Sequence, residues 1–211
     1  MRLVPRGAPM APTPRRASSC GPLRVEDADA AAEVIREAFA AQSRPTDPPY
    51  SALGETAESV SAKLADGGGA GAEAGGALVG VVLWAEKNGA LTIGRVSVLP
   101  AWRGQGIARA LLAAGEAEAR RRGLARMTLR VRLALDENQR LFAGCGFAAV
   151  RQGAHPGYAA ATFVVMERAL RPLSRVRANG RAKDARKSSS GAFVSYCDRG
   201  RETVRRSRPT D

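Results

Sequence analysis

A single histidine, His155, and three scattered cysteines, Cys20, Cys145 and Cys197, are all that this chain offers to a transition metal or a disulfide. No Cys-x-x-Cys pair occurs, which excludes the common zinc spacings. An odd, widely spaced cysteine set argues against a disulfide framework and for a reduced, cytoplasmic setting. No metal site is expected. Also absent is any apolar run near the ~18 residues that cross a bilayer. The Arg-containing N-terminus lacks the apolar core of about 7–15 residues that a secretory signal needs. Aromatic residues make up only 5% of the 211, so Val, Leu, Ile and Ala must fill the core that the 45% apolar content permits. Acids are missing from residues 1–19, which carry four arginines, and are outnumbered by 12 basic side chains to 4 in residues 171–211. Residues 20–170 carry 17 basic and 16 acidic side chains, so the net charge of +13 belongs to the two ends. A high isoelectric point here describes tails and not a binding site.

Those ends are rich in Pro, Arg, Ser and Gly and bury little, so residues 1–21 and 172–211 are expected to be disordered basic extensions. The length leaves room for one domain between them, residues 22–171. Within it, Leu23 and Val25 suggest a short first strand, and Asp27 or Asp29 suits the N-cap of a helix reaching about Ala41. Three prolines within residues 43–50 make a loop. A second helix is expected over 55–66, a weak strand over 70–74 and a strong one over 77–85. Asn88-Gly89 then forms a hairpin turn, because both residues tolerate positive φ. The next strand covers about 90–99, a helix 104–122 and a strand 126–131, with a short helix from Asp136 or Glu137. Residues 148–160 are expected as a loop or hairpin, before a final strand at 162–166.

The densest signal is VSVLPAWRGQGIARALL, residues 96–112. A strand stops at Pro100, a turn with two glycines follows, and an amphipathic helix begins near Ile107. A helix start has free N–H groups and the positive end of a dipole, and glycine lets an anion reach the backbone. The turn lacks the Gly-Lys-Ser/Thr ending of a P-loop, and Gly104-Gln105-Gly106 runs into Arg109 where a dinucleotide fold needs glycine. The strand before the turn slips parity. Leu91 and Ile93 are apolar at odd positions, Val96 and Val98 at even ones. One extra residue near Gly94-Arg95, a β-bulge, would return all four to one face, and burial on both faces is the alternative.

The element order, the run from Val98 to Ala108 and the downstream Leu141-Phe142-Ala143-Gly144-Cys145-Gly146-Phe147 together resemble the GNAT superfamily of acyl-CoA-dependent N-acyltransferases. The resemblance covers roughly residues 22–171. It implies an α/β (α+β) fold with a central mixed, mostly antiparallel sheet, flanked by helices and split in a V between strands 4 and 5. It also implies an acetyl-CoA cosubstrate and an amine acceptor attacked directly in a ternary complex. Arg103, Gly104, Gln105, Gly106, Ile107 and Ala108 would cradle the pyrophosphate. Val96 and Val98 would bind the pantetheine arm, and Asn138 is a further cofactor contact.

Catalytic residues are harder to place. The family's strand Glu has no counterpart, since the strand offers Arg95 and Ser97 instead; Glu86 is the nearest acid, with a solvated hairpin charge as the alternative. The family's Tyr falls on Phe142, which has no proton to give. His155 and Tyr158, in the loop before the last strand, are candidates for proton transfer or for shaping the acceptor site, against an ordinary loop. Catalysis by positioning, with water carrying protons, is the remaining option. Asp47, Glu55 and Glu58 are the acids available to a cationic amine. Other functions left open are a CoA-binding regulatory module without turnover and a nucleic-acid or ribosome contact through the basic tail. Either a monomer or a homodimer fits.

Overall fold

The computed structural model describes residues 19–42 and 44–170. Most of both basic extensions, and with them the tail considered for nucleic acid, lies outside the described residues.

In chain order the elements are β1 (Ser19–Pro22), α1 (Ala28–Ala40), α2 (Ala57–Asp66), β2 (Gly69–Ala74), β3 (Ala77–Lys87), β4 (Ala90–Val98), α3 (Ile107–Arg121), β5 (Arg126–Arg132), α4 (Asp136–Ala143), β6 (Ala148–Gly153) and β7 (Phe163–Ala169). The strands form one sheet in the order β1-β2-β3-β4-β5-β7-β6, in which β4 and β5 are parallel and the other neighbours antiparallel. The mixed, mostly antiparallel sheet flanked by helices is the expected fold. One local reading changes. The first strand is Ser19–Pro22, so the folded part begins before residue 22, and Leu23 follows the strand. Of the loop or hairpin expected over 148–160 the structure takes the hairpin, with residues 148–153 as β6 extending the sheet beyond β7.

Local chemistry explains the helix starts. Thr56 and Ser59 exchange side-chain bonds with each other's backbone N–H at the start of α2, a capping box. Asp27 precedes α1, but its carboxylate accepts from the Arg24 N–H rather than capping α1. Ala31, Ala32 and Ile35 of α1 and Val60 of α2 bury against Val81 and Leu83 on one face of the sheet. On the other face Leu111 and Leu112 of α3 pack with Val82, Trp84, Leu91, Ile93 and Met127. Burying each such side chain contributes about 1.5–3 kcal/mol. The helix lies close because a glycine stands on each side of the contact: a Cβ on Gly80 of β3 would come within 2.8 Å of Ile107, and one on Gly115 of α3 within 2.9 Å of Ile93.

The β3–β4 register jumps from Leu83↔Gly94 to Val81↔Ser97, so Arg95 and Val96 stand opposite Val82 alone. This is the expected bulge, and Arg95 adopts a φ of 52° to make it. Its effect on parity is the one inferred, because Leu91, Ile93, Val96 and Val98 all belong to the same apolar cluster. On its other side β4 pairs with β5 only from Leu91 to Ile93. Beyond Ile93, β4 follows β3 while β5 follows β7, and the sheet opens between them.

A buried carboxylate holds the bulge. Glu55, 3% exposed, accepts from Arg95 Nε at 2.6 Å and from Lys63 Nζ at 2.5 Å, with Ser59 Oγ as a third donor. Burial alone would raise its pKa, but the hydrogen bonds from Lys63, Ser59 and Arg95, with the charge of Arg95, hold it below the ordinary 4.5. Its stabilising contribution is therefore complete above the ordinary carboxylate range and is lost as pH falls through the lowered pKa. Glu55→Gln leaves two cations short of their partner and is expected to cost about 3 kcal/mol at neutral pH. Chemical denaturation at pH 7 and pH 4 checks this, since the gap between wild type and variant should narrow at the lower pH.

Candidate active site

After β4, Pro100–Trp102 form a 3₁₀ turn, and Gly104 and Gly106 take φ values of 76° and 82° that only glycine adopts freely. Gly106 is the N-cap of α3, no side chain caps the helix, and its first intrahelical bond runs from Ala110 N–H to Gly106 O. The N–H groups of Ile107, Ala108 and Arg109 therefore precede the helical ladder. A Cβ on Gly104 or Gly106 would meet no protein atom within 4 Å. The space above this backbone is open, which suits a phosphate approaching the positive end of the helix dipole.

That space is part of a cavity of about 400 Å³ between the turn, β4 and α4. Eight of the nine residues expected to bind the cofactor line it: Val96, Val98, Arg103, Gly104, Gly106, Ile107, Ala108 and Asn138. Gln105 does not. Arg103 has another task than the one expected of its charge. Its guanidinium donates to the carbonyls of Ala38 and Ala41 at 2.9 and 3.1 Å and to Val98 O at 3.3 Å. A cation at the C-terminal carbonyls of α1 is favourable for the helix dipole, and it ties the glycine turn to that helix. Arg103 contributes its backbone and its positioning to the cavity, with its side-chain donors committed elsewhere.

A second cavity of about 620 Å³ lies along the opened sheet between β4, β5, β7 and the loops before α2 and β7. The two cavities share Gln42, Val96, Asn138 and Phe142. Their junction is thus the mouth of the β4–β5 split, beside the bulge. Phe142, 8% exposed, packs edge-on to Phe147 at 6.2 Å and offers no proton there.

The three catalytic candidates are not brought together. Glu86 is exposed, lines neither cavity and pairs with Leu91 near the hairpin, at the far end of β4 from the glycine turn. Tyr158 also lines neither; its hydroxyl donates to Asp47, which raises its pKa above 10 and commits its proton. Only His155 faces the larger cavity. Arg132 Nη1 stands 2.9 Å from its Nδ1, and Thr162 Oγ1 is the other neighbour of that nitrogen. A guanidinium can only donate, so Nδ1 accepts and the neutral ring carries its proton on Nε2. Burial first, then the charges of Arg132 and Arg130, lowers the His155 pKa below 6.5. His155 is a neutral hydrogen-bond donor whose one lone pair is taken, which makes it a poor base.

Several roles at this site were not singled out in the sequence. Gln42, just past the end of α1, reaches the junction, and Glu55, named only as an acid open to a cationic amine, instead fixes the bulge at a sequence distance of 40 residues. No local pattern announces either. Arg130 and Arg151 had a weak signal, as charged positions on strands, but only the sheet order β5-β7-β6 places them in one cavity. Among the described residues no group of three or more His, Cys, Asp or Glu is arranged to hold a metal, and no helix is long and apolar enough to cross a membrane.

The fold recurs in solved structures. The PaiA N-acetyltransferase of Thermoplasma acidophilum, determined with coenzyme A, superposes with a TM-score of 0.61 at 17% identity, over 72% of this chain and 98% of its own. The protein yncA of Salmonella typhimurium, determined with acetyl-CoA as its cofactor, gives 0.56 at 21% identity, over 79% and 98%. The ribosomal-protein-S18-alanine N-acetyltransferase of Escherichia coli gives 0.54 at 20%, over 72% and 92%. At these identities the likeness concerns the fold. No curated protein sequence matches the chain significantly. The acetyltransferase (GNAT) family model, however, matches residues 32–147, more than half of the sequence and all of the cradle described above. By that match, with its opened β4–β5 pair and uncapped α3, the chain belongs to the GNAT acetyltransferase family and is an acyltransferase.

Proposed function

We propose that this protein transfers an acetyl group from acetyl-CoA to a primary amine, which attacks directly while both substrates are bound. The observation that carries the reading is the meeting of the two cavities at Val96, Asn138 and Phe142, one ending in a phosphate cradle and the other open to an acceptor. Acetyl-CoA supplies an activated acyl group as a thioester. The first-turn N–H groups of α3 and the open backbone at Gly104 and Gly106 suit its pyrophosphate, and CoA is what two of the structural neighbours hold. Past Ile93 the backbone of β4 has no strand partner on the β5 side, so its polar groups near Val96 and Val98 are available to the amides of a pantetheine arm.

The residues at the junction favour catalysis by positioning. Phe142 has no proton, Glu86 and Tyr158 are elsewhere, and the Nδ1 of His155 is taken. Asn138 and Gln42 orient by hydrogen bonding, and the Nε2–H of His155 is a donor within the acceptor cavity. Removal of the ammonium proton then falls to solvent; the neutral amine forms the C–N bond as the thioester C–S bond breaks, and CoA leaves as a thiolate that takes up, through water, the proton the new amide nitrogen gives up.

Two outcomes follow from this. Gly106→Val places a β-branched residue at positive φ, costing about 1–2 kcal/mol of strain, and puts its side chain into the cradle. Calorimetry should show acetyl-CoA affinity at least tenfold weaker. The pH profile of kcat/KM should rise with slope one up to the pKa of the acceptor amine. With two amines of different pKa the limb should move with the amine; a limb that stays fixed would reveal a base on the protein. Acetyl-CoA binding without CoA release against a broad panel of small amines and peptides would count against the transferase reading.

A further inference from the structure

The acceptor cavity has an unusual charge balance. Lys87, Arg95, Arg126, Arg130, Arg132 and Arg151 line it, and Glu167 is the one carboxylate among them. Some of these charges are already answered. Arg95 is paired with Glu55. Arg126 donates to Asn88 O, and Arg132 donates to Pro49 O and His155, near Asp47. The acids that would have drawn a cationic amine are spent or displaced: Glu55 is buried under Arg95 and Lys63, Asp47 holds Tyr158, and Glu58 does not line the cavity.

Among the described residues Lys87 has no ion pair either, but it sits at the hairpin opposite Ala90, so Arg130 and Arg151 are the arginines that differ from the other three. Both are exposed, and both stand in register with Val165, Arg130 from β5 and Arg151 from β6. Residues in register across neighbouring strands share a face, so the two guanidinium groups rise from one side of the sheet with a small apolar residue between them. Arg130 lies over the Phe163 ring, 5.1 Å from its centroid, which steadies the side chain while leaving its N–H fork free. Neither arginine forms an ion pair among the described residues. On the helix side of the molecule, by contrast, Arg120, Arg121, Arg122 and Arg168 are all matched by Glu116 and Glu118. The unanswered pair faces the cavity. Arg130 is also the residue after Leu129, the last on β5 to pair with β4, so it stands across the split from the bulge.

We infer that the acceptor is a small amine bearing an anionic group, a carboxylate or a phosphate, which Arg130 and Arg151 grip while the amine reaches toward the junction at Val96. Planar guanidinium forks bind both kinds of oxyanion bidentately. This inference rests on the transferase reading for its amine, and on the cavity alone for its anion.

The test compares matched amines: an α-amino acid against its decarboxylated amine, phosphoethanolamine against ethanolamine, and spermidine as a cationic control. CoA release should give kcat/KM at least tenfold higher for the anionic member of one pair, and which pair does so identifies carboxylate or phosphate. Arg130→Ala and Arg151→Ala should each pull that ratio down at least fivefold; a ratio within one preparation is insensitive to partial misfolding. Calorimetric titration of the same compounds onto the CoA-bound protein reads the preference without turnover. Equal rates and affinities within both pairs, a preference for spermidine, or a ratio unchanged by both substitutions would overturn the inference. If neutral amines are acetylated without preference, only the anion site falls. If no amine is acetylated yet the anionic compounds bind through Arg130 and Arg151, the site stands and the transferase reading falls.

Discussion

One extra residue in β4 governs most of this molecule. With Arg95 and Val96 set against Val82 alone, the strand bends away from β5 after three paired residues, and the sheet opens at its centre. A bulge on an interior strand costs ladder hydrogen bonds and, here, a non-glycine residue at positive φ. Surrounding contacts over-determine it. Glu55 grips Arg95 from the start of α2, Ser97 Oγ donates to Arg95 O at 3.1 Å, and the return of Val96 and Val98 to the apolar face supplies burial that an unbulged strand would forfeit. The stability of the fold and the opening of the site thus rest on the same residues.

From the bulge the site is built outward. β4 runs on to the glycine turn, so the opened strand edge leads directly to the free N–H groups of α3. Arg103 pins that turn to the carboxyl end of α1, which also carries Gln42 to the junction. The two halves of the sheet diverge past the bulge, and the space between them holds one cavity that ends at the glycine turn and another that runs along the opened sheet. Recognition is assigned to fixed backbone and to a few orienting side chains. The four residues common to both cavities, Gln42, Val96, Asn138 and Phe142, carry no titratable side chain, in keeping with a reaction whose electrophile arrives already activated.

Much of this was legible in the sequence, for reasons of period and position. The strand–turn–helix of residues 96–112 is local, so its glycines, its proline and its apolar spacing announce it. The bulge was legible because parity along a strand is a strict count, and Leu91, Ile93, Val96 and Val98 break it once. Roles that depend on distant partners were not legible. Arg103 reads as a phosphate ligand until α1, more than 60 residues earlier, is seen to take its donors. Tyr158 and His155 read equally as proton-transfer groups, as parts of an acceptor pocket or as ordinary loop residues until Asp47 is found on the hydroxyl of one and Arg132 on the Nδ1 of the other. Glu86 is the nearest acid along the chain, and the antiparallel hairpin leaves it exposed opposite Leu91, as the solvated hairpin charge that is the alternative reading.

The central claim is that the bulge exposes β4 backbone which, together with the start of α3, receives the acyl donor. Amide hydrogen exchange with and without acetyl-CoA addresses it at single-residue level. Slowed exchange confined to residues 96–98 and 104–109, with the paired residues Leu91–Ile93 unchanged, is the predicted result. Binding of acetyl-CoA with no change at those amides, or with protection spread over the helix faces instead, would contradict it.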